Sequence, residues 1–168
     1  MIAIFLFGVF PALMAFAAAY DLTTMTIPNR LTAAVGLAFI AVILLVGLPL
    51  SEVAWHVAAG VLVLVVAFAM FAAGWIGGGD AKLAAGIALW LGFADLLDYF
   101  MLASILGGVL TLALLAARRY PLPQMLARLP WALKLHAPET GIPYGIALAI
   151  AALATLPHAQ IMLRAFPH

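Results

Sequence analysis

Apolar residues come in long runs along this chain, and the few polar positions fall between the runs. A membrane-crossing helix needs about 20 mostly apolar residues at 1.5 Å rise each. Residues 2–20, 31–48 and 53–75 each form such a run. The next, 83–117, would make roughly 50 Å of helix, too long for one crossing, and Asp95 and Asp98 fall in its middle. Burying both at the bilayer centre costs on the order of several kcal/mol. The pattern therefore predicts a short span over 83–93, a tight turn, and another span over 96–117. A last run covers 142–156. The expectation is an all-α polytopic membrane protein of about six helices, forming one transmembrane domain over 1–168.

Composition sharpens this. Of 168 residues, 68% are hydrophobic and 8% charged, against about half and roughly a quarter in soluble domains. A chain of this size cannot hide that much apolar surface by folding on itself. A soluble globular domain, a disordered chain and a nucleic-acid binder are excluded, and the lipid bilayer is the expected partner. The absence of cysteine removes disulfides, thiolate metal sites and cysteine nucleophiles. Ala15-Phe16-Ala17 looks like a leader cleavage site, but no Lys or Arg precedes the apolar run. A signal peptide needs that positive region, so a retained first helix is expected.

Charge placement predicts orientation. With six spans, the loops after helices one, three and five share one face, which receives Arg30, Lys82, Arg118, Arg119, Arg128 and Lys134, six of the seven basic residues. The positive-inside rule makes that face cytoplasmic and puts both termini, with Glu52, Asp95 and Asp98, on the far side. The segment of about 119–140 mixes Met125, Leu129, Trp131 and Leu133 with Arg128, Lys134 and several prolines. It is too broken to span and is expected to lie along the headgroups. Trp55, Trp75, Trp90 and Trp131 are expected to be interfacial anchors.

Few residues are left for chemistry. Ser51 and Ser104 have no histidine placed to act as base, and no HExxH occurs. His136 and Glu139 have a chelating spacing, but Pro138 between them breaks the helix that would present them. No metal and no cofactor is expected. Two aspartates stand out: Asp21, just after the first run, and Asp80, after the third, in Gly77-Gly78-Gly79-Asp80-Ala81-Lys82-Leu83. Both fall at the cytoplasmic end of an odd-numbered helix. If those helices pack together, the carboxylates meet and share a proton. One can then act as general base on a water while its protonated partner hydrogen-bonds a scissile carbonyl. The glycines before Asp80 allow left-handed backbone and close approach, so an extended substrate can pair against them. Plainer roles compete: Asp80 as a helix cap, Asp21 as a solvated helix end, and Lys82 as a snorkelling lysine.

Three strings carry a resemblance. Asp21 followed by Ile27-Pro28-Asn29-Arg30-Leu31-Thr32, then Gly77-Gly78-Gly79-Asp80-Ala81-Lys82-Leu83, then Ile142-Pro143-Tyr144-Gly145 together resemble the type IV prepilin peptidase family, membrane aspartic proteases of the GxGD kind. The resemblance implies cleavage of a short basic leader from prepilins or pseudopilins at the cytoplasmic face of the bacterial inner membrane, just before the substrate's apolar helix. It implies Asp21 and Asp80 as catalytic. Gly77, Gly78, Gly79, Lys82, Asn29, Pro143, Tyr144 and Gly145 become candidates for binding substrate. Long members carry an added cytoplasmic domain, often with paired Cys-x-x-Cys motifs, and N-methylate the product. Asp21 comes too early for that domain and there is no cysteine, so the chain looks like the short form of tight-adherence (Flp) pilus systems. Purified protein is expected not to transfer methyl groups from S-adenosylmethionine to mature pilin, a result read by mass spectrometry of the product.

The alternative is a small transporter or channel subunit using the same boundary carboxylates, since intramembrane acids often mark ion paths. That role calls for ionisable groups near the midplane, and the predicted spans contain none. The particular pilin and the oligomeric state are not encoded in these motifs.

Overall fold

The computed structural model describes residues 5–165. After a π-helical turn at Phe5–Val9 come α1 (Phe10–Thr24), α2 (Asn29–Val46), α3 (Leu50–Ala72), α4 (Gly78–Ala117), α5 (Pro130–His136), α6 (Tyr144–Thr155) and α7 (Gln160–Ala165). No strand occurs among the described residues. Stretches long and apolar enough to cross a bilayer are Leu6–Thr24, Asn29–Val46, Leu50–Ala72, Gly78–Ala117 and Tyr144–Arg164. The protein is thus an all-α polytopic membrane protein. Prolines set several helix starts: Pro28, Pro49 and Pro143 are the N-caps of α2, α3 and α6, where a fixed φ and a missing N–H cost the helix nothing. Gly47, at φ 70°, closes α2 in the left-handed conformation.

The 40-residue α4 would be about 60 Å long if straight, roughly twice the hydrocarbon thickness. It folds back at Gly92 (φ 68°, ψ −176°). Phe100 and Leu96 of the returning arm, 93–117, pack on the cluster of Ala84, Ala85 and Ala88 in the outgoing arm, 78–91. The two arms bring the number of crossings to six. The reversal needs one residue, so Asp95 and Asp98 sit in the opening turns of the second arm rather than in a loop. Asp95 is not simply solvated: the Gln160 amide faces its carboxylate, and Oδ2 is enclosed.

The break leaves the Leu89 carbonyl without its usual helical partner. His56 of α3, buried, donates from Nδ1 to that oxygen at 2.7 Å. Gly92 packs beneath the same imidazole: a Cβ there would lie 3.1 Å from His56 Cε1. Its φ/ψ pair is one that only glycine adopts readily. Gly92→Ala is expected to lower stability by about 1–3 kcal/mol, seen as a lower thermal midpoint in detergent. Gly36→Ala, where a Cβ meets nothing within 4 Å, should not lower it.

Small residues let the helices approach closely, as is usual where lipid gives no hydrophobic drive. Ala81, Ala84, Ala85 and Ala88 of α4 are buried, as are Ala147, Ala149, Ala151 and Ala152 of α6. Trp90 corrects the sequence-based expectation. It is fully buried, its ring tilted against Phe10 with centroids 4.5 Å apart, and its indole N–H donates to Val35 O at 3.1 Å. It ties α4 to α2 instead of anchoring at the interface, whereas Trp55 and Trp75 are exposed.

Candidate active site

Asp21 lies in the last turn of α1, not beyond it, because the helix continues to Thr24. Met25 then closes it at φ 58°, its amide bonding to the Asp21 carbonyl at 2.8 Å. Asp80 lies in the first turn of α4, a short loop away from the end of α3. Gly77 is the N-cap and its amide faces the Asp80 carboxylate, the backward half of a capping box. Gly77, not Asp80, is thus the cap residue, and Asp80 sits at the third helical position, where the charge of Asp21 acts on it. Both acids lie at the same end of the bundle.

Ile27 is the wedge that joins them. A Cβ on Gly79 would sit 2.9 Å from Ile27 Cβ and 3.2 Å from its backbone nitrogen. A Cβ on Gly145 would sit 2.9 Å from Ile27 Cδ1 and 2.8 Å from Asp21 Oδ2. Both contacts are closer than side chains tolerate, so Gly79 and Gly145 are what allow α4 and α6 to close on the loop after α1. The Gly145 N–H donates to Asp21 Oδ2 at 2.8 Å. Asp21, 4% exposed, is thus held by a first-turn amide of α6, one of the N–H groups that a helix leaves without an internal partner. Pro143, the buried N-cap, fixes where that turn begins.

The glycine run behaves differently from the sequence-based expectation. Gly77 has φ −73°, and Gly78 and Gly79 are already helical. None of the three adopts the left-handed conformation. Their use is close approach, at Gly79 above all, and a substrate cannot pair along all three as along an extended strand.

Asp80 opens on a cavity of about 380 Å³ between α3, both arms of α4, and α6. Its walls are apolar, including Val66, Met70, Ala84, Phe100 and Leu148, with Tyr144 at its margin. Tyr144 packs over Gly107 and its hydroxyl meets Thr111 Oγ1 at 3.3 Å. Lys82 and Asn29 lie elsewhere. The ammonium donates to Asn29 Oδ1 at 2.8 Å, and both line a separate groove between α2, α3 and α4.

The connection from α4 to α6 is drawn onto this end of the bundle. Lys134 donates to the Thr24 carbonyl at 2.6 Å, covering the C-terminus of α1. Arg118 donates to Leu135 O at 2.7 Å and to Gly141 O at 3.0 Å. Met125, Leu126 and Leu133 stay exposed. At the opposite end, Arg164 pairs with Glu52. His136 ends α5 and Glu139 follows in a turn. No cluster of three or more potential metal ligands occurs among the described residues.

One contributor escaped sequence reasoning. Ile27 stood inside a noted string, but an apolar side chain carries no chemical flag.

Compared with known proteins, the chain matches the type IV leader peptidase family over residues 8–112. That stretch contains Asp21 and Asp80, while Pro143, Tyr144 and Gly145 lie beyond it. No curated protein and no solved structure matches the chain.

Proposed function

Given that the chain belongs to the type IV leader peptidase family, and so is a membrane-embedded peptidase, we propose that it is an aspartic endopeptidase removing the basic leader from type IV prepilins or pseudopilins. Asp21 and Asp80 form its catalytic pair. The observation that carries this reading is their convergence around Gly79, Ile27 and Gly145, beside a cavity with apolar walls.

The chemistry follows from the pair. One ionised carboxylate takes a proton from a water lying between the two acids, and the water oxygen attacks the scissile carbonyl. The protonated partner donates a hydrogen bond to the carbonyl oxygen as negative charge develops there. Collapse of the tetrahedral intermediate breaks the C–N bond, and the proton taken from water passes to the leaving amine. No covalent enzyme intermediate arises.

The surroundings suit a substrate with a basic leader followed by an apolar helix. Apolar residues after the scissile bond fit the cavity beside Asp80, while the leader stays in water. Lys82, Arg118 and Lys134 are tied to backbone or side-chain oxygens at this end of the bundle, which the positive-inside rule assigns to the cytoplasm. The protein then resides in the bacterial inner membrane with both termini periplasmic.

The test is purified protein in lipid vesicles mixed with a prepilin, precursor and mature forms being separated by mass. Conversion at the leader junction, unaffected by chelators, is the expected result. Failure to cut any prepilin or pseudopilin with a basic leader would overturn the reading.

A further inference from the structure

Charge placement accounts for a basic residue at position 118, since lysine and arginine serve the positive-inside rule alike. It does not account for what this arginine touches. Arg118 is the C-cap of α4 and is half-buried, whereas Arg119 beside it is exposed. Its guanidinium is turned onto the connection between α5 and α6. Nε and Nη2 both donate to Leu135 O, at 3.0 and 2.7 Å. Nη2 also reaches Thr140 Oγ1 at 3.3 Å and Gly141 O at 3.0 Å. Leu135 lies in the last turn of α5, where carbonyls have no helical partner. Gly141 lies two residues before Pro143, the N-cap of α6. One side chain thus holds both ends of the link.

That link grips the last turn of α1 from either side. Before it, Lys134 donates to Thr24 O at 2.6 Å. After it, the Gly145 N–H donates to Asp21 Oδ2 at 2.8 Å. Tyr144 seats the start of α6 on Gly107 and Thr111, in the same arm of α4 that ends at Arg118. Among the described residues Arg118 pairs with no carboxylate, so its donors are directed at the link. We propose that Arg118 is a positioning residue for the peptidase: by clamping Leu135 O and Gly141 O together it sets where α6 begins, and so keeps the Gly145 amide on Asp21. Its purpose rests on the peptidase reading; the clamp itself is read from the hydrogen bonds.

A guanidinium presents its donors in a rigid planar fork, while an ammonium is a compact point charge. Arg118→Lys therefore keeps the charge that orients the chain and loses the fork. It should insert and melt like wild type, but cleave prepilin roughly tenfold more slowly, a fraction of the about 10²-fold that a 1 Å misplacement can cost. The loss should fall on kcat, with KM nearly unchanged. Arg119→Lys, the same exchange on the exposed neighbour, should cleave normally. A second readout needs no substrate. The infrared band of the Asp21 carboxyl group, identified by its loss in Asp21→Asn, should shift in Arg118→Lys and stay in place in Arg119→Lys. An unshifted band in Arg118→Lys would overturn the proposal. So would a shift that Arg119→Lys shares, or wild-type kcat in Arg118→Lys. Collapse of the thermal midpoint in Arg118→Lys would overturn it too, since the residue would then hold the fold rather than the site. If wild type cuts no prepilin, the peptidase reading fails, and the Asp21 band still judges the clamp.

Discussion

Asp21→Asn and Asp80→Asn are each expected to reduce prepilin cleavage by roughly 10²–10⁴-fold, the usual cost of losing a general acid or base. An amide has the size of a carboxylate but cannot accept a proton from water. At position 21 the Gly145 amide still finds an oxygen to bond. At position 80 the Gly77 amide does too. Both variants should therefore insert and extract like wild type, which protease protection and thermal midpoints will check. Near-normal cleavage by either would remove that residue from the chemistry. The wild-type profile should fall on both sides of a pH optimum. Below it both acids are protonated and no base remains; above it neither holds the proton that binds the carbonyl.

The second large effect involves no chemical group. Gly79→Ala puts a methyl 2.9 Å from Ile27 Cβ, 3.2 Å from its nitrogen and 3.3 Å from its carbonyl oxygen. Two of these neighbours are backbone, so the strain is relieved only by moving the loop that follows α1. Gly145→Ala presses a methyl to 2.8 Å from Asp21 Oδ2 and 3.1 Å from its Cβ, driving the carboxylate from its amide. Overpacking of this kind costs about 1–3 kcal/mol, and a displacement near 1 Å can lower a rate about 10²-fold. Both variants should lose cleavage by about that factor while remaining folded in detergent. Gly108→Ala, facing open space, should cleave normally. If Gly79→Ala and Gly145→Ala match that control, close approach at Ile27 is not what assembles the site.

Much of this architecture was legible because a bilayer permits so few solutions. Run length and the excess of charge between runs predicted six crossings. The turn was placed around Asp95 on the premise that acids avoid the apolar interior. The fold instead turns at Gly92, since a helix N-terminus accepts an acid in its first turn. Trp90 was read by residue type as interfacial, but its indole N–H found a backbone acceptor inside the bundle. Asp21 and Asp80 were legible because carboxylates beside long apolar runs are costly and stand out. Ile27 was not, since its importance lies in what it fits between. Lys82 and Asn29, both noted in the strings, are bound to each other rather than to the acids. Sequence proximity to a key residue does not decide which way a side chain points on a helix.

The grip of Gly145 on Asp21 joins two ends of a polymer that is made from one end. A ribosome releases Asp21 and Asp80 first and reaches position 145 on the order of several seconds later. Until the final crossing docks, the first acid lacks the amide that holds it. On the proposed catalytic pair, a half-synthesised chain is an idle one, and competence to cut arrives together with completion of the bundle.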